Sequence, residues 1–370
     1  MSFLFKWLAG KNALCGIDIG SSSIKLTQID KTSNGYQLAK LAITPTLSST
    51  FKDGNIIDSQ ILADSLRATI ANNKISISGA VGAVAGQSVV IRPINMARMS
   101  EKELQNAIRF EAERYLPYPV AESRIYGSIL RPSIDGDDKS MEVLLVAAPN
   151  DLVKNTQDVL HLAGLQVQAI DIEPFALVRA LQVTLDEAVF NKTVVLLNIG
   201  ASYTSISIFK GGYLRHNRTV TVAGNSFSKA ISQSLNLNVE EAEKIKKEKG
   251  MIRVEKDTTP IAPTTMRIFN VIVPILSELL TEVQRSFDYY RSRYRGETID
   301  QIVLCGGTSR FKNIDAYISS ELGIPCMVAN PLKNLSVADI PGYTSEELQY
   351  LAPELMVSIG LSLRDLVVRR

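Results

Sequence analysis

An α/β fold built twice over is what this 370-residue sequence predicts. Two observations carry that prediction. Apolar runs with the two-residue period of strands alternate along the chain with stretches of helical period. A glycine-centred motif at residues 16–22 also returns at 197–202, about half a chain later. At roughly 100–200 residues per domain, the length suits two or three domains or one bilobed body.

The elements follow in order. Residues 14–19 form an apolar strand, 20–23 a Gly-Ser-Ser-Ser turn, and a second strand follows in which Ile24, Leu26 and Gln28 alternate with Lys25, Thr27 and Ile29. Asp58 caps a helix that buries Ile61, Leu62, Leu66 and Ile70. After a Gly/Ala/Val-rich stretch at 79–86 and a short strand at 89–92, Ser100 and Glu103 form a capping box. The helix it opens buries Leu104, Ile108, Ala112 and Tyr115 and ends at Leu116-Pro117-Tyr118-Pro119. Strands at 126–132 and 141–148 flank a polar turn, and the helix 151–163 closes on Gly164. This block, from about 80 to 165, reads as an inserted subdomain. A strand at 167–172 leads into a helix with Pro174 in its first turn. The second hairpin follows: strand 193–198, turn Gly200-Ala201-Ser202, a strand carrying Ile206 and Ile208, and a further strand at 213–222 after Gly211-Gly212. Helices at 225–235 and 239–249, a Pro/Thr-rich loop at 256–265 and a long helix at 266–295 come next. A strand at 299–305 ends in Gly306-Gly307, before a helix at 314–322, a strand at 326–328 and a last helix from Pro353.

The repeated hairpin carries the chemistry. A glycine at a tight turn lets backbone N–H groups converge on an anion without side-chain obstruction. An aspartate just before the turn, Asp18, can hold a metal ion beside phosphates, usually through water. Either turn alone is equally an ordinary β-hairpin. The pair, followed by the Gly-Gly of 306–307, favours a nucleotide. There is no Gly-x-x-x-x-Gly-Lys-Ser/Thr loop and no Gly-x-Gly-x-x-Gly fingerprint, so nucleotide binding would need another architecture.

Composition excludes several classes. Forty Lys+Arg against 38 Asp+Glu give a net charge of +2, too balanced for a general attraction to nucleic acid. Three cysteines, Cys15, Cys305 and Cys326, form no Cys-x-x-Cys pair and suit a reducing cytoplasm. Two distant histidines, His161 and His216, cannot make a His-rich metal site and suggest no chemistry. No apolar run reaches the roughly 18–20 residues of a membrane span. The best stretch, 271–280, contains Pro274 and Glu278. The apolar start, with Phe3, Phe5 and Trp7, is too short for a signal peptide and reads as a docked arm or a membrane-dipping segment. Arg285, Arg291, Arg293 and Arg295 gather toward the end of the long helix, where cations are favoured without any ligand.

With these residues in hand, the chain resembles the actin/Hsp70-type ATPases. Residues 16–25 resemble their first phosphate motif and 198–204 the second. Leu304-Cys305-Gly306-Gly307-Thr308-Ser309-Arg310 resembles the adenosine motif. Asp171-Ile172-Glu173-Pro174-Phe175-Ala176 resembles the connecting helix, and Ala242-Glu243-Lys244-Ile245-Lys246 the segment near ribose and adenine. Within that superfamily it looks most like the PilM family of type IV pilus assembly, a relative of FtsA. The strings that suggest this are residues 16–25, Phe110-Glu111-Ala112-Glu113-Arg114-Tyr115-Leu116-Pro117-Tyr118-Pro119, and Gly360-Leu361-Ser362-Leu363-Arg364.

The resemblance implies an actin-like fold of two lobes with duplicated α/β subdomains and an FtsA/PilM-type insertion. The first lobe core would be 1–79, completed by 166–190 and 345–370, with the insertion at 80–165. The second lobe core would be 191–224 and 297–344, with a helical subdomain at 225–296. It implies ATP and Mg²⁺ as cofactors, held by a clamp of the two hairpins. Asp18 would hold the metal and Glu173 would order an attacking water. Gly20, Ser21, Ser22, Ser23 and Lys25 would meet phosphate from one hairpin; Asn198, Gly200, Ala201 and Ser202 from the other. Gly306, Gly307 and Thr308 would approach the α-phosphate and ribose, Arg310 the adenine face, and Glu243 and Lys246 the ribose and base edge. The plainer alternatives are a solvated lysine for Lys25, a helix-start carboxylate for Glu173, a surface ion pair for Arg310 and a solvated charged face for 240–249. Asn198 departs from the superfamily's aspartate, which weakens metal binding and points to slow hydrolysis.

The implied partner is the N-terminal cytoplasmic tail of the membrane protein PilN, bound between the insertion and the first lobe. Other pilus-platform and motor proteins and self-association are further expectations. The place would be the inner face of the inner membrane, reached through PilN. A filament-forming FtsA-like ATPase and a small-molecule kinase of the same fold are the alternatives. The chain end at 361–370 lacks the linker and aromatic face of an FtsA-type anchor, and no substrate motif supports a kinase.

Overall fold

A computed structural model of the protein describes residues 14–77, 79–132, 138–185, 187–253 and 262–367. The N-terminal aromatic residues therefore lie outside the described residues, as does most of the polar turn near 135 and of the loop near 258. Along the chain, β1 (Cys15–Ile19), β2 (Ser23–Thr32) and β3 (Gly35–Pro45) precede two short strands, β4 (Phe51–Lys52) and β5 (Asn55–Ile56), and the helix α1 (Ser59–Asn72). Next come β6 (Ala80–Val84), β7 (Val90–Ala97), α2 (Glu101–Ala112), β8 (Ser123–Arg131), β9 (Ser140–Pro149), α3 (Asn150–Leu162), β10 (Val167–Ile172), α4 (Glu173–Thr184) and α5 (Glu187–Phe190). The second half has β11 (Thr193–Ile199), β12 (Thr204–Lys210), β13 (Tyr213–Val220), α6 (Gly224–Leu235), α7 (Val239–Lys249), α8 (Pro263–Arg293) and β14 (Gln301–Cys305). It closes with α9 (Ile314–Leu322), β15 (Cys326–Val328), β16 (Ser336–Val337), α10 (Ser345–Leu351) and α11 (Met356–Ser362).

The chain divides into two compact units. The first comprises residues 1–84, 152–184 and 330–370; the second comprises 85–151 and 185–329. Each contains one main sheet, and the two sheets share one topology. The first runs β10-β6-β1-β2-β3-β16 and the second β15-β14-β11-β12-β13. In each, an antiparallel three-strand meander is extended by two parallel strands on the side of its first strand. The seven-residue motif repeat thus marks a whole duplicated subdomain.

In the first unit the inner strands β1 and β6 are buried on both faces, whereas β2 largely keeps its period-2 alternation. Cys15 and Ile17 point to a core with Leu62 and Leu66 of α1 and Val159 and Leu160 of α3. Gly16 faces the other way, onto α11. A Cβ on Gly16 would strike the Ser358 carbonyl and sit 2.6 Å from the Ser362 nitrogen. The Ser362 hydroxyl instead accepts the Gly16 N–H at 3.0 Å and donates to the Thr27 carbonyl at 2.8 Å. Two residues away, on the opposite face of the helix, a Cβ on Gly360 would be driven into the carbonyl of Ala176 on α4. The Gly-Leu-Ser segment therefore wedges α11 between β1 and α4, with a glycine supplying one side of each contact. Arg179 and Arg364 both hold the buried Asp171, and Arg179 also donates to the Gly360 carbonyl at 2.9 Å.

In the second unit the core lies under β11 and β12, against Phe227 and Ile231 of α6 and Ile272, Leu276, Leu279 and Phe287 of α8. The three-stranded sheet β7-β9-β8 carries α2 on its own core of Ile94, Leu104, Ile108, Ala112, Met141 and Val143. Its seam with β13 and α8 is electrostatic. Buried Glu142 accepts from Arg131 at 2.8 Å and Arg215 at 3.3 Å, with Arg293 3.8 Å away. Arg293 also donates to the Pro93 carbonyl, so part of the arginine cluster of α8 has a structural task. Beside this seam His216 stacks on Tyr289 at 4.8 Å, and burial, then Arg218 and Arg92, push its pKa down to about 4.

Most expected elements form where the periodicity places them, and the Asp58 cap and the Ser100/Glu103 box are both present. Ile61 is the exception on α1: it sits 100° around from Leu62 and stays exposed. The long helix begins three residues before its expected start, because Pro263 suits a first helical turn. The strand β3, the central strand β6 and the helix α10 escaped notice in the sequence. The Thr344/Glu347 capping box of α10 was a usable signal.

Two stability predictions follow from these contacts. Gly360→Ala should cost more than about 3 kcal/mol, because the obstacle is backbone. Ser362→Ala should cost less, about 1–3 kcal/mol, by orphaning the Gly16 N–H; urea unfolding of both variants checks the order. For His216, the folded pKa lies below the unfolded one, so its neutral form stabilises fully above about pH 6.5. That contribution should fade as pH falls from 6.5 to about 4, and the urea midpoint of His216→Gln should vary less across this range.

Candidate functional site

The two glycine hairpins close in the same way. In the first, the Gly20 N–H donates to the Ser23 carbonyl at 3.1 Å; in the second, the Gly200 N–H donates to the Tyr203 carbonyl at 3.1 Å. A Cβ at Gly20 would meet the Ser23 carbonyl at 2.9 Å, and one at Gly200 the Tyr203 carbonyl at 3.0 Å. Each turn therefore requires the absence of a side chain, which leaves its backbone open to an incoming anion.

In the first unit, Asp18 and Lys25 are register partners one step behind the turn. The Lys25 ammonium lies 3.2 Å from the Asp18 carboxylate, with only 12% of the lysine side chain exposed. Lys25 is thus anchored at the hairpin rather than solvated along the strand. Ser21, Ser22 and Ser23 form the tip. Thr46, just past β3, donates its hydroxyl to the Gly20 carbonyl at 2.8 Å and its N–H to the Ser22 carbonyl at 3.0 Å. Glu173 begins α4 of the same unit and is 6% exposed.

In the second unit the predicted residues gather tightly. Asn198 pairs in register with Cys305, and Gly306 follows with φ of +83°. A Cβ on Gly306 would lie 2.5 Å from the Ile199 carbonyl and 2.6 Å from the Asn198 side-chain oxygen, so only glycine permits both the turn and the approach. The start of α6 closes over the hairpin: Gly224 and Asn225 donate to the Gly200 and Ala201 carbonyls, each at 2.8 Å. Thr308 lies beside Gly224, and a Cβ there would meet its hydroxyl at 3.1 Å. Arg310 donates to the Gly307 carbonyl at 3.3 Å.

Lys246 and Glu243 hold this assembly from α7. Lys246 is buried, donates to the Gly224 carbonyl at 3.0 Å and pairs with Glu243 at 2.6 Å. Ser228 donates to Glu243, and Lys247 flanks it at 3.3 Å. The run 240–249 is therefore solvated on one face only. Burial works against the Glu243 charge, but Lys246, Ser228 and Lys247 outweigh it and hold the carboxyl below its usual range. Burial lowers the Lys246 pKa in spite of that carboxylate, with Lys247 and Arg310 adding repulsion.

The second unit thus brings Asn198, Gly306, Thr308, Glu243 and Lys246 around its hairpin, and the first brings Lys25 to Asp18 beside the Gly20–Ser23 turn. Thr46, Gly224, Asn225 and Ser228 were missed by sequence reasoning. Gly224-Asn225-Ser226 after a strand had the look of a helix start, whereas nothing in the sequence marks Thr46.

The family model for the type IV pilus assembly protein PilM matches residues 16–366. The chain belongs to the PilM family. The PilM chain of a solved PilM–PilN type IV pilus biogenesis complex is 28% identical to this PilM-family chain, with a TM-score of 0.83 over 97% of this chain and 100% of that one. MreB5 of Spiroplasma citri bound to AMPPNP, at 15% identity and a TM-score of 0.53, covers 96% of this chain and 97% of its own. It shares the fold, which is that of the actin-like ATPases. Among sequence relatives, the cell division protein FtsA of Pseudomonas aeruginosa is 24% identical over 88% of this chain and 85% of its own length. FtsA of Bacillus subtilis is 26% identical over 63% of this chain, and the match spans 57% of that relative's length. Among the described residues, no helix is long and apolar enough to cross a membrane.

Glu243→Gln should lower stability by about 1–2 kcal/mol at pH 7, because it leaves the buried Lys246 ammonium without its carboxylate. The wild-type advantage should be present above about pH 4.5 and vanish as pH falls through the lowered Glu243 pKa. Denaturant midpoints of both proteins, measured at pH 7 and at successively lower pH, check this.

Proposed function

We propose that this PilM-family chain is a nucleotide-binding scaffold that docks the N-terminal cytoplasmic tail of PilN and joins the inner-membrane pilus platform to the cytoplasmic motor. The observation that carries the reading is the match to PilM of the PilM–PilN complex, 28% identical across nearly the whole of both chains. It works at the inner face of the inner membrane, held there through PilN.

The donor chemistry on the two hairpins fits ATP and Mg²⁺. Each turn is led by a glycine that closes on its own backbone and is followed by small residues. The bound MreB5 nucleotide supports the same use of the shared fold. Asp18 would hold the metal, and Lys25, already at the hairpin, would supply positive charge toward the phosphates. Gly20, Ser21, Ser22 and Ser23 would meet phosphate in the first unit, and Gly200, Ala201 and Ser202 are the corresponding phosphate-contacting candidates of the second. Gly306, Gly307, Thr308 and Arg310 take the α-phosphate, ribose and base, beside Glu243 and Lys246. Bound Mg²⁺ would neutralise phosphate charge. Asn198 offers a carbonyl and no charge, so it would hold the metal more weakly than an aspartate and favour slow turnover. Glu173 is the residue to order an attacking water.

The FtsA relatives favour a second reading, a nucleotide-dependent filament, which sedimentation with and without ATP distinguishes. For the scaffold, a synthetic PilN-tail peptide titrated into the protein should bind saturably, with an affinity that changes when ATP and Mg²⁺ are present. ATP affinity should change by the same factor when peptide is added. No heat of binding in either state would overturn PilN docking, and no ATP binding at millimolar Mg²⁺ would overturn the nucleotide half.

A further inference from the structure

The two hairpins share a turn but not the clasp that holds it. In the second, the Gly200 and Ala201 carbonyls are taken by backbone N–H groups, those of Gly224 and Asn225. Thr204, on the strand leaving that hairpin, turns its hydroxyl away to the Val222 carbonyl at 2.7 Å. In the first hairpin the corresponding work falls to one residue. Thr46 takes the Gly20 carbonyl with its hydroxyl at 2.8 Å and the Ser22 carbonyl with its N–H at 3.0 Å. Half of that clasp hangs on a single side-chain oxygen.

The geometry of the peptide unit gives this a consequence. In a trans peptide the C=O and the following N–H point in opposite directions. Fixing the Gly20 and Ser22 carbonyls onto Thr46 therefore turns the N–H groups of Ser21 and Ser23 to the opposite side. The Gly20 N–H is already spent on the Ser23 carbonyl. The direction in which the first hairpin presents its backbone donors is thus set from behind by Thr46.

We propose that Thr46 is a positioning residue that aims the backbone N–H groups of the Gly20–Ser23 turn at a phosphate. The proposal rests on the nucleotide reading above and adds to it a residue that does not itself touch the ligand. Thr46→Val keeps shape and volume and removes the hydroxyl; Thr46→Ser restores it. Calorimetry of ATP and of AMP, each with Mg²⁺, is run on the wild type and both variants, alongside urea unfolding. With the loss of one hydrogen bond's worth of aim, Thr46→Val should bind ATP about tenfold more weakly. AMP, which lacks the outer phosphates, should lose much less, and Thr46→Ser should bind ATP within about twofold of wild type. Equal ATP affinity in Thr46→Val and wild type overturns the proposal. So does an equal loss for ATP and AMP, or a failure of Thr46→Ser to rescue, since either marks a general structural role. Absence of ATP binding by the wild type itself is a separate outcome, which removes the nucleotide reading and this role with it.

Discussion

The contact on which the first unit depends is one that two glycines make possible by having no side chain. The helix Met356–Ser362 lies so close to the strand Cys15–Ile19 and the helix Glu173–Thr184 that only glycine fits at Gly16 and Gly360. The bare backbone surfaces are then sewn together by Ser362, which serves Gly16 and Thr27, and by Arg179, which ties the Gly360 carbonyl to Asp171. Close approach of this kind maximises dispersion contacts and leaves no room for adjustment. Asp18 and Gly20 lie at the end of the strand so gripped, and Glu173 at the start of the helix so gripped. The positions of those groups are therefore inherited from a packing contact at the chain's last helix.

The second unit solves the same problem with charge. Its hairpin is held by the start of the helix Gly224–Leu235, whose first carbonyl is held in turn by the buried Lys246, and Lys246 by Glu243. Burying a lysine is costly unless it is paired and hydrogen-bonded. This one is both. A pair that resembles nucleotide-contacting residues in sequence is thus also part of the framework that shapes the second hairpin. The seam around Glu142 repeats the device on a larger scale, with three arginines on one buried carboxylate joining the small sheet to the main one.

Much of this was legible in the residues. The returning Gly-x-Ser-like turn announced the duplication, because a tight turn that excludes a side chain leaves a glycine at a fixed offset from two apolar strands. The Gly-Gly after the strand 301–305 was legible for the same reason. The capping boxes at Ser100 and Thr344 are local chemistry and are both legible in the residues. The strand Gly35–Pro45 was harder, since its polar residues break simple alternation.

The residues alone carry the α/β class, the doubled hairpin, the family resemblance and the identity of the charged and small residues at each turn. These depend on local periodicity and on steric rules acting within a few residues. Tertiary structure alone decided that Lys25 rests on Asp18, that Lys246 is buried under Gly224, that Gly16 and Gly360 are contact points and that Thr46 stands behind the first turn. Thr46 is 26 residues from Gly20, and Gly16 is 346 from Ser362. Partners so distant in sequence leave no spacing to read, because they meet only when the sheet and its covering helices have packed.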